Sequence, residues 1–244
     1  MTRVTDVTDR IARAALNNAL WCDAVARSHG VATTTDADAW TAATRTPPYY
    51  PDAVTLSPTV GEYDVLARVD DSDGCSIKDS WAALDLSLED FARIVVGEWV
   101  WLDPATPVTA PGGPAWRRVE TPTSMASWVR AWATDPEAEA ILRPALLDEP
   151  GVHVLAAHAS ADPDAPVVAG AIVNLTGQGA DAVAGLSNVF SRDGDAGATW
   201  SAAALAARAV AGPLPLVGWE AGPGLDAALT AGCEALGPLS VWLK

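Results

Sequence analysis

Between Gly151 and Lys244 apolar runs alternate with turn-forming residues. VHVLAA (152–157), APVVAGAIVNLT (165–176) and DAVAGLSNVF (181–190) are separated by Asp, Pro and Gly, which predicts three buried strands in an antiparallel meander. The period then changes. SRDGDAGATW (191–200) is small and polar and predicts a loop, and the Ala-rich SAAALAARAV (201–210), followed by Ala-Gly-Pro, predicts a helix. LPLVGWE (214–220) reads as a short strand, LDAALTAGCEA (225–235) as a helix and PLSVWLK (238–244) as a closing strand.

The first half of the chain is less regular. Val7, Ile11, Ala14, Ala15, Leu16, Leu20, Trp21 and Val25 recur at helical spacing, predicting an amphipathic helix over 7–29 closed by Gly30. Residues 33–45 carry Thr and Asp capping candidates and predict a second, shorter helix. Pro47, Pro48 and Pro51 exclude a helix at the start of 46–58, whose end can enter a sheet; Tyr49 and Tyr50 fit either a packed aromatic loop or a substrate mouth. A short helix over 61–70, a strand over 75–86, an amphipathic helix over 87–97 and a strand over 98–104 follow. Lys78 falls inside the second of these and reads as a solvated strand position.

Residues 103–114 hold four prolines and two glycines in twelve positions and read as a linker. It divides an α+β unit, residues 1–102, from a second unit, residues 115–244. That unit opens with a strand (115–121) and a helix (121–133) that has Pro122 at its start and Met125, Trp128, Val129 and Trp132 on one stripe. A helical segment over 137–150, broken near Pro144, precedes the meander.

Composition narrows the function classes. A formal charge of −16 with only two lysines argues against nucleic acid and against anionic membrane surfaces; it would steer a cationic or amine-bearing partner in more easily than an anion, but an acidic surface that keeps the protein in solution is the simpler account. The apolar stretches fall short of the roughly 20 residues that span a bilayer, and the first residues lack a secretory pattern, so a cytoplasmic protein is expected. Cys22, Cys75 and Cys233 match no metal-ligand spacing and read as buried reduced thiols; with three histidines, no metal site is expected.

One stretch suggests chemistry. A strand that runs through a Gly-bearing loop into a helix can offer several backbone N–H groups and the positive end of the helix dipole to a phosphate. Arg192, Gly194, Ala196 and Gly197 occupy such a loop. Around it the second unit reads β-α-α-β-β-β-loop-α-β-α-β. In this order and in Arg192-Asp193-Gly194-Asp195-Ala196-Gly197 the chain resembles the GNAT superfamily of acyl-CoA-dependent N-acyltransferases, over about residues 115–244; the first unit is similar to the amino-terminal half of tandem or extended members, possessing a degenerate GNAT-like half. The resemblance implies an α/β (α+β) fold, a mixed, mostly antiparallel twisted sheet flanked by helices, in which the fourth strand (181–190) diverges from the fifth (214–220). It implies acetyl-CoA or another acyl-CoA as co-substrate, its pantetheine arm paired with Asn188, Val189 and Phe190 and its diphosphate on Arg192, Asp193, Gly194, Asp195, Ala196, Gly197 and Ala198.

Two departures from the family pattern stand out. Two aspartates sit where a diphosphate is held, and the tyrosine that protonates the leaving thiolate in many members has no counterpart in LDAALTAGCEALG, where Cys233 and Glu234 are poor substitutes; Asp226 is the nearest match to the usual Asn after the fifth strand. Transfer to an amine needs a base near the divergent strands and donors for the oxyanion. Glu220 is the candidate base, the N–H of Val189 or Phe190 the oxyanion donor, and Ser187 a residue that positions substrate. His153 and His158 read as strand-edge histidines. Two functions follow: an N-acyltransferase acting on a small-molecule or peptide amine as monomer or homodimer, or a catalytically inactive GNAT-fold protein that binds a small ligand or protein partner.

Overall fold

The computed structural model describes residues 7–110, 112–162, 165–192 and 194–244. The chain forms two compact units, one of residues 1–99 with 236–244, the other of residues 100–235. The closing strand, expected in the second unit, thus belongs to the first, and the division falls inside a strand rather than in the proline-rich linker.

In the first unit α1 (Val7–Ser28) buries Ile11, Ala14, Ala15, Trp21, Cys22 and Val25, whereas Leu16 and Leu20 of the expected stripe are 40% and 37% exposed. The helix ends at Ser28, and Gly30 just beyond it has a φ of +78°, which suits glycine. The helix expected over 33–45 is instead a hairpin of β1 (Thr33–Thr35) and β2 (Ala39–Ala42). Three successive threonines favour a strand, and Asp36, expected to cap a helix, closes the turn: its Oδ1 accepts from the N–H of Asp38 at 2.8 Å and of Ala39 at 3.0 Å. After β3 (Ala53–Thr55), α2 (Glu62–Leu66) and β4 (Ser76–Asp79), the helix expected over 87–97 is replaced by one 3₁₀ turn, Ser87–Glu89, and by β5 (Ala92–Leu102). Asp90, left-handed at φ +63°, stops the turn, and the β-branched and aromatic ARIVVGEWVWL prefers a pleated surface. The strands run β1-β2-β3-β4-β11, with β11 spanning Glu234–Leu243; β3 and β4 are parallel and the other pairs antiparallel.

Lys78 and Asp52 are among the polar groups buried here. Lys78 is not solvated as expected; it is 5% exposed, donates to Asn18 Oδ1 at 2.9 Å, and its pKa is lowered by burial. Asp52, 2% exposed, accepts from the Arg45 guanidinium at 2.6 Å, from the Thr46 N–H at 2.7 Å and from the Ser76 N–H at 3.0 Å, tying the 46–52 loop to β4. Asp52→Ala leaves those donors unmatched and is expected to cost about 3 kcal/mol, read as a lower urea midpoint. Tyr50 packs edge-on against Trp21 at 6.3 Å, and Tyr49 is exposed.

The second unit follows the predicted order more closely. It contains β6 (Trp116–Arg118), α3 (Pro122–Trp132), α4 (Pro136–Glu139), β7 (Val152–His158), β8 (Val167–Thr176), β9 (Val183–Ser191), α5 (Ala196–Ala211), β10 (Leu216–Glu220) and α6 (Gly222–Thr230). The broken segment before the meander is α4 plus a 3₁₀ turn at Pro144–Asp148. Thr121 caps α3 in a capping box with Ser124. The strand order is β10-β9-β8-β7-β6; β9 and β10 are parallel and the other pairs antiparallel. α5 and α6 bury Trp200, Ala203, Ala204, Ala207, Ala227 and Ala228 against Leu155, Val173, Leu186 and Leu216 of the sheet. Small alanines let both helices lie close to the strands.

Helix, three antiparallel strands, helix and parallel strand occur in each unit, as α1-β1-β2-β3-α2-β4 and as α4-β7-β8-β9-α5-β10. Among the described residues no helix is long and apolar enough to cross a membrane, and no group of three or more His, Cys, Asp or Glu side chains could hold a metal ion.

Candidate functional site

The parallel register of β9 and β10 covers Leu216 opposite Ala184 and Val217 opposite Gly185, and goes no further among the described residues. At the next position Gly218 still touches β9: a Cβ there would lie 2.7 Å from the Leu186 carbonyl oxygen. Beyond it, no register among the described residues pairs Ser187–Ser191 with Trp219–Glu220. On its other edge β9 is irregular. Gly170 faces Phe190 and Ile172 faces Ser187, so Asn188 and Val189 together oppose the single residue Ala171. This bulge has Asn188 in the left-handed region at φ +52°, a conformation Asn tolerates better than most residues, and it resets the alternation of side chains along the strand.

The alternation places each candidate residue. Ala184 and Leu186 join the core under α5 and α6, and beyond the bulge Val189 packs there as well. Ser187 therefore points to the opposite face, as does Phe190, which meets Trp128 of α3 edge-on at 5.2 Å. The Ser187 hydroxyl is buried without a hydrogen-bond partner among the described residues. Glu220 lies on the α5 side, where its Oε1 accepts from Trp200 Nε1 at 3.1 Å. The two residues expected to share the chemistry thus stand on opposite faces of the sheet.

Burial raises the pKa of Glu220 and the Trp200 hydrogen bond partly offsets this. Cys233, close enough to feel that carboxylate, has its thiol pushed up to about 12, chiefly by burial. A carboxyl whose folded pKa is raised contributes stability that is present below its ordinary value of 4.5 and is lost as pH rises through the raised value. Glu220→Gln is neutral throughout, so its melting temperature is expected to rise relative to wild type as the pH is raised above about 4.5, as scanning calorimetry can show.

The loop after β9 turns inward on itself. The helix expected at 201 begins at Ala196, because Asp195 is its N-cap: Oδ1 accepts from the N–H of Gly197 at 2.7 Å and of Ala198 at 3.4 Å. Gly194 N–H donates to Ser191 Oγ at 2.8 Å. Arg192 Nη1 donates to the Ala131 carbonyl at 3.2 Å, at the end of α3, and Asp193 lies outside the described residues. A groove of about 530 Å³ runs between α5 and α6, lined among others by Asp195, Gly197, Ser201, Pro223, Asp226 and Thr230; no described Lys or Arg lines it. His153, half-buried, has its pKa lowered by burial and by Arg118, and His158 Nδ1 lies 2.8 Å from the Ala165 carbonyl oxygen; both are on β7, two strands from β9.

Trp200 and Gly224 escaped sequence reasoning. A Cβ on Gly224 would stand 2.5 Å from Glu220 Oε2, so glycine at this position leaves the carboxyl room. Asp195 followed by small helix formers was the available signal for an earlier helix start, and that start places Trp200 on α5, from which it donates to Glu220.

No protein-family profile matches the chain, and no curated protein matches it in sequence. Solved structures do match its fold. A GCN5-related N-acetyltransferase from Kribbella flavida is similar at TM-score 0.62 and 15% identity, over 99% of this chain and 96% of its own. A conserved protein of unknown function from Staphylococcus epidermidis ATCC 12228 is similar at TM-score 0.57 and 12% identity, over 86% and 92%. A GCN5-related N-acetyltransferase-like protein from Streptococcus suis 89/1591 is similar at TM-score 0.52 and 13% identity, over 98% of both chains. With β9 and β10 parting beside a bulge and helices on both faces of a mostly antiparallel sheet, this chain has the fold of the GCN5-related N-acetyltransferase superfamily.

Proposed function

We propose that the protein is an N-acyltransferase that moves an acetyl or other acyl group from acyl-CoA to a cationic amine, a small molecule or a peptide. The observation that carries this reading is the early end of the parallel pairing between β9 and β10, beside the bulge at Asn188. In this reading an extended pantetheine arm pairs, as a strand would, with the backbone of Asn188, Val189 and Phe190, where the pairing with β10 has stopped. Thioester and amine then meet at the bulge. The ammonium first loses one proton to solvent; the neutral amine nitrogen then attacks the carbonyl carbon while Glu220, directly or through a water, takes the second proton; the N–H of Val189 or Phe190 meets the developing oxyanion, and the C–S bond breaks to release CoA. Ser187, on the other face, positions the acceptor. The formal charge of −16 favours a cationic acceptor. In this reading Arg192 through Ala198 receive the diphosphate once Asp195 yields the N–H groups it caps. The matching order of elements in the two units supports a duplicated origin, with the first unit a degenerate half.

A second reading has one specific observation behind it. Asp195 already occupies two N–H groups at the start of α5 and Arg192 turns toward α3, as in a GNAT-fold protein that has lost transfer and binds a small ligand or protein partner. Turnover separates the two. Acetyl-CoA with a panel of polyamines and basic peptides is expected to release thiol in an amine-dependent, saturable manner; no amine-dependent release with acetyl-CoA bound leaves the second reading standing.

A further inference from the structure

The sequence has no tyrosine on α6 to protonate a departing thiolate, and the structure narrows what can replace it. Cys233 is too weak an acid: at about 12 its thiol holds its proton more tightly than an ordinary alkyl thiol, near 8.5, and does not give it up to a thiolate. Glu234 is exposed at the start of β11, and Ser187 looks to the opposite face of the sheet. Glu220 differs from all three. It is the last residue of β10, beyond the end of the parallel register, and it faces α5. Trp200 fixes one carboxyl oxygen, Oε1, and the other, Oε2, lies close to Gly224, where the missing Cβ accommodates it.

Building on the acyltransferase reading, we propose that Glu220 Oε2 protonates the sulfur that leaves, so that one carboxyl group serves as base and then as acid. The proton taken from the amine as the N–C bond forms is held on Oε2; when the C–S bond breaks and its electron pair goes to sulfur, the same proton follows. Products are the amide and the CoA thiol, and the carboxylate returns to its starting state with no net oxidation. Burial brings the proton affinity of this carboxyl nearer to that of a thiolate, which suits both transfers. Trp200 and Gly224 are positioning residues for it.

Two measurements on the full-length protein with CoA and acetyl-CoA test the assignment. A carboxylate beside the sulfur makes the thiol harder to ionise, so the thiol of bound CoA, followed by ultraviolet absorbance of the thiolate, is expected to titrate about one pH unit or more above free CoA in the wild type and to return toward the free value in Glu220→Gln. The same variant is expected to lose about a hundredfold in kcat with acetyl-CoA and spermidine or agmatine while its Kd for acetyl-CoA stays within about threefold. A bound thiol that titrates alike in both proteins overturns the assignment and leaves the acyltransferase reading intact. Failure of the wild type to bind CoA removes that reading and the assignment with it.

Discussion

Replacing Asp195 by Ser is expected to tighten CoA binding about tenfold. The side chain now does two things that conflict in an acyltransferase: it caps α5, and it sets a negative charge where the diphosphate has to approach. Serine keeps a capping oxygen, so the helix start survives, while the charge is gone. A unit charge about 5 Å from an anion, in the partly solvated setting of a groove rim, is worth on the order of 1 to 3 kcal/mol, and about 1.4 kcal/mol is a factor of ten in Kd. The preference should fade as salt is added, because the removed interaction is electrostatic. Unchanged or weaker binding of CoA by the serine variant means that the diphosphate does not meet the start of α5.

The largest stability effect expected in the second unit is at Gly170. It sits on β8 opposite Phe190, and a Cβ there would lie 2.3 Å from Trp128 Nε1 and 2.4 Å from Phe190 Cε1. Neither ring can move freely: Trp128 is fully buried, donates from Nε1 to the Leu155 carbonyl at 2.8 Å, and lies between Trp132, at 6.1 Å, and Phe190. Gly170→Ala must break the indole hydrogen bond or push Phe190 and the bulge outward. Overpacking of this kind costs about 1 to 3 kcal/mol, and a lost buried hydrogen bond adds about 1 kcal/mol, so a drop of about 3 kcal/mol in urea unfolding is expected. A loss below about 1 kcal/mol means that the aromatic cluster does not hold β9 against β8. Because Phe190 is next to the residues proposed to pair with pantetheine, the variant should also weaken acetyl-CoA binding.

The second unit was far more legible than the first, for physical reasons that particular segments display. Strands β7 and β8 and the first half of β9 are largely buried on both faces, so their apolar runs are long and bounded by turn residues. In the first unit the signals compete. Asp36 can cap a helix or close a turn, and only its position between two short strands, one fully buried, decides for the turn. SLED begins like a helix, yet the run that follows it is better served by a sheet, and tertiary pairing wins over a one-turn start.

At the candidate site the positions along β9 and β10 were readable from order and resemblance, whereas side-chain direction was not. A bulge of one residue at Asn188 decides which face Val189 and Phe190 occupy, and nothing in SNVFS announces it. For the same reason Glu220 and Ser187 could be named together although the sheet separates them. The Asp195 cap was visible as two aspartates in an unlikely place for a phosphate; that the carboxylate would itself take the helix donors is a matter of geometry.

Isothermal titration of the wild-type protein with acetyl-CoA tests most directly whether the gap between β9 and β10 is an acyl-CoA site. Saturable binding at one site per chain, in the micromolar range and weakened by Gly170→Ala, is the predicted result. The absence of heat at millimolar acetyl-CoA contradicts it.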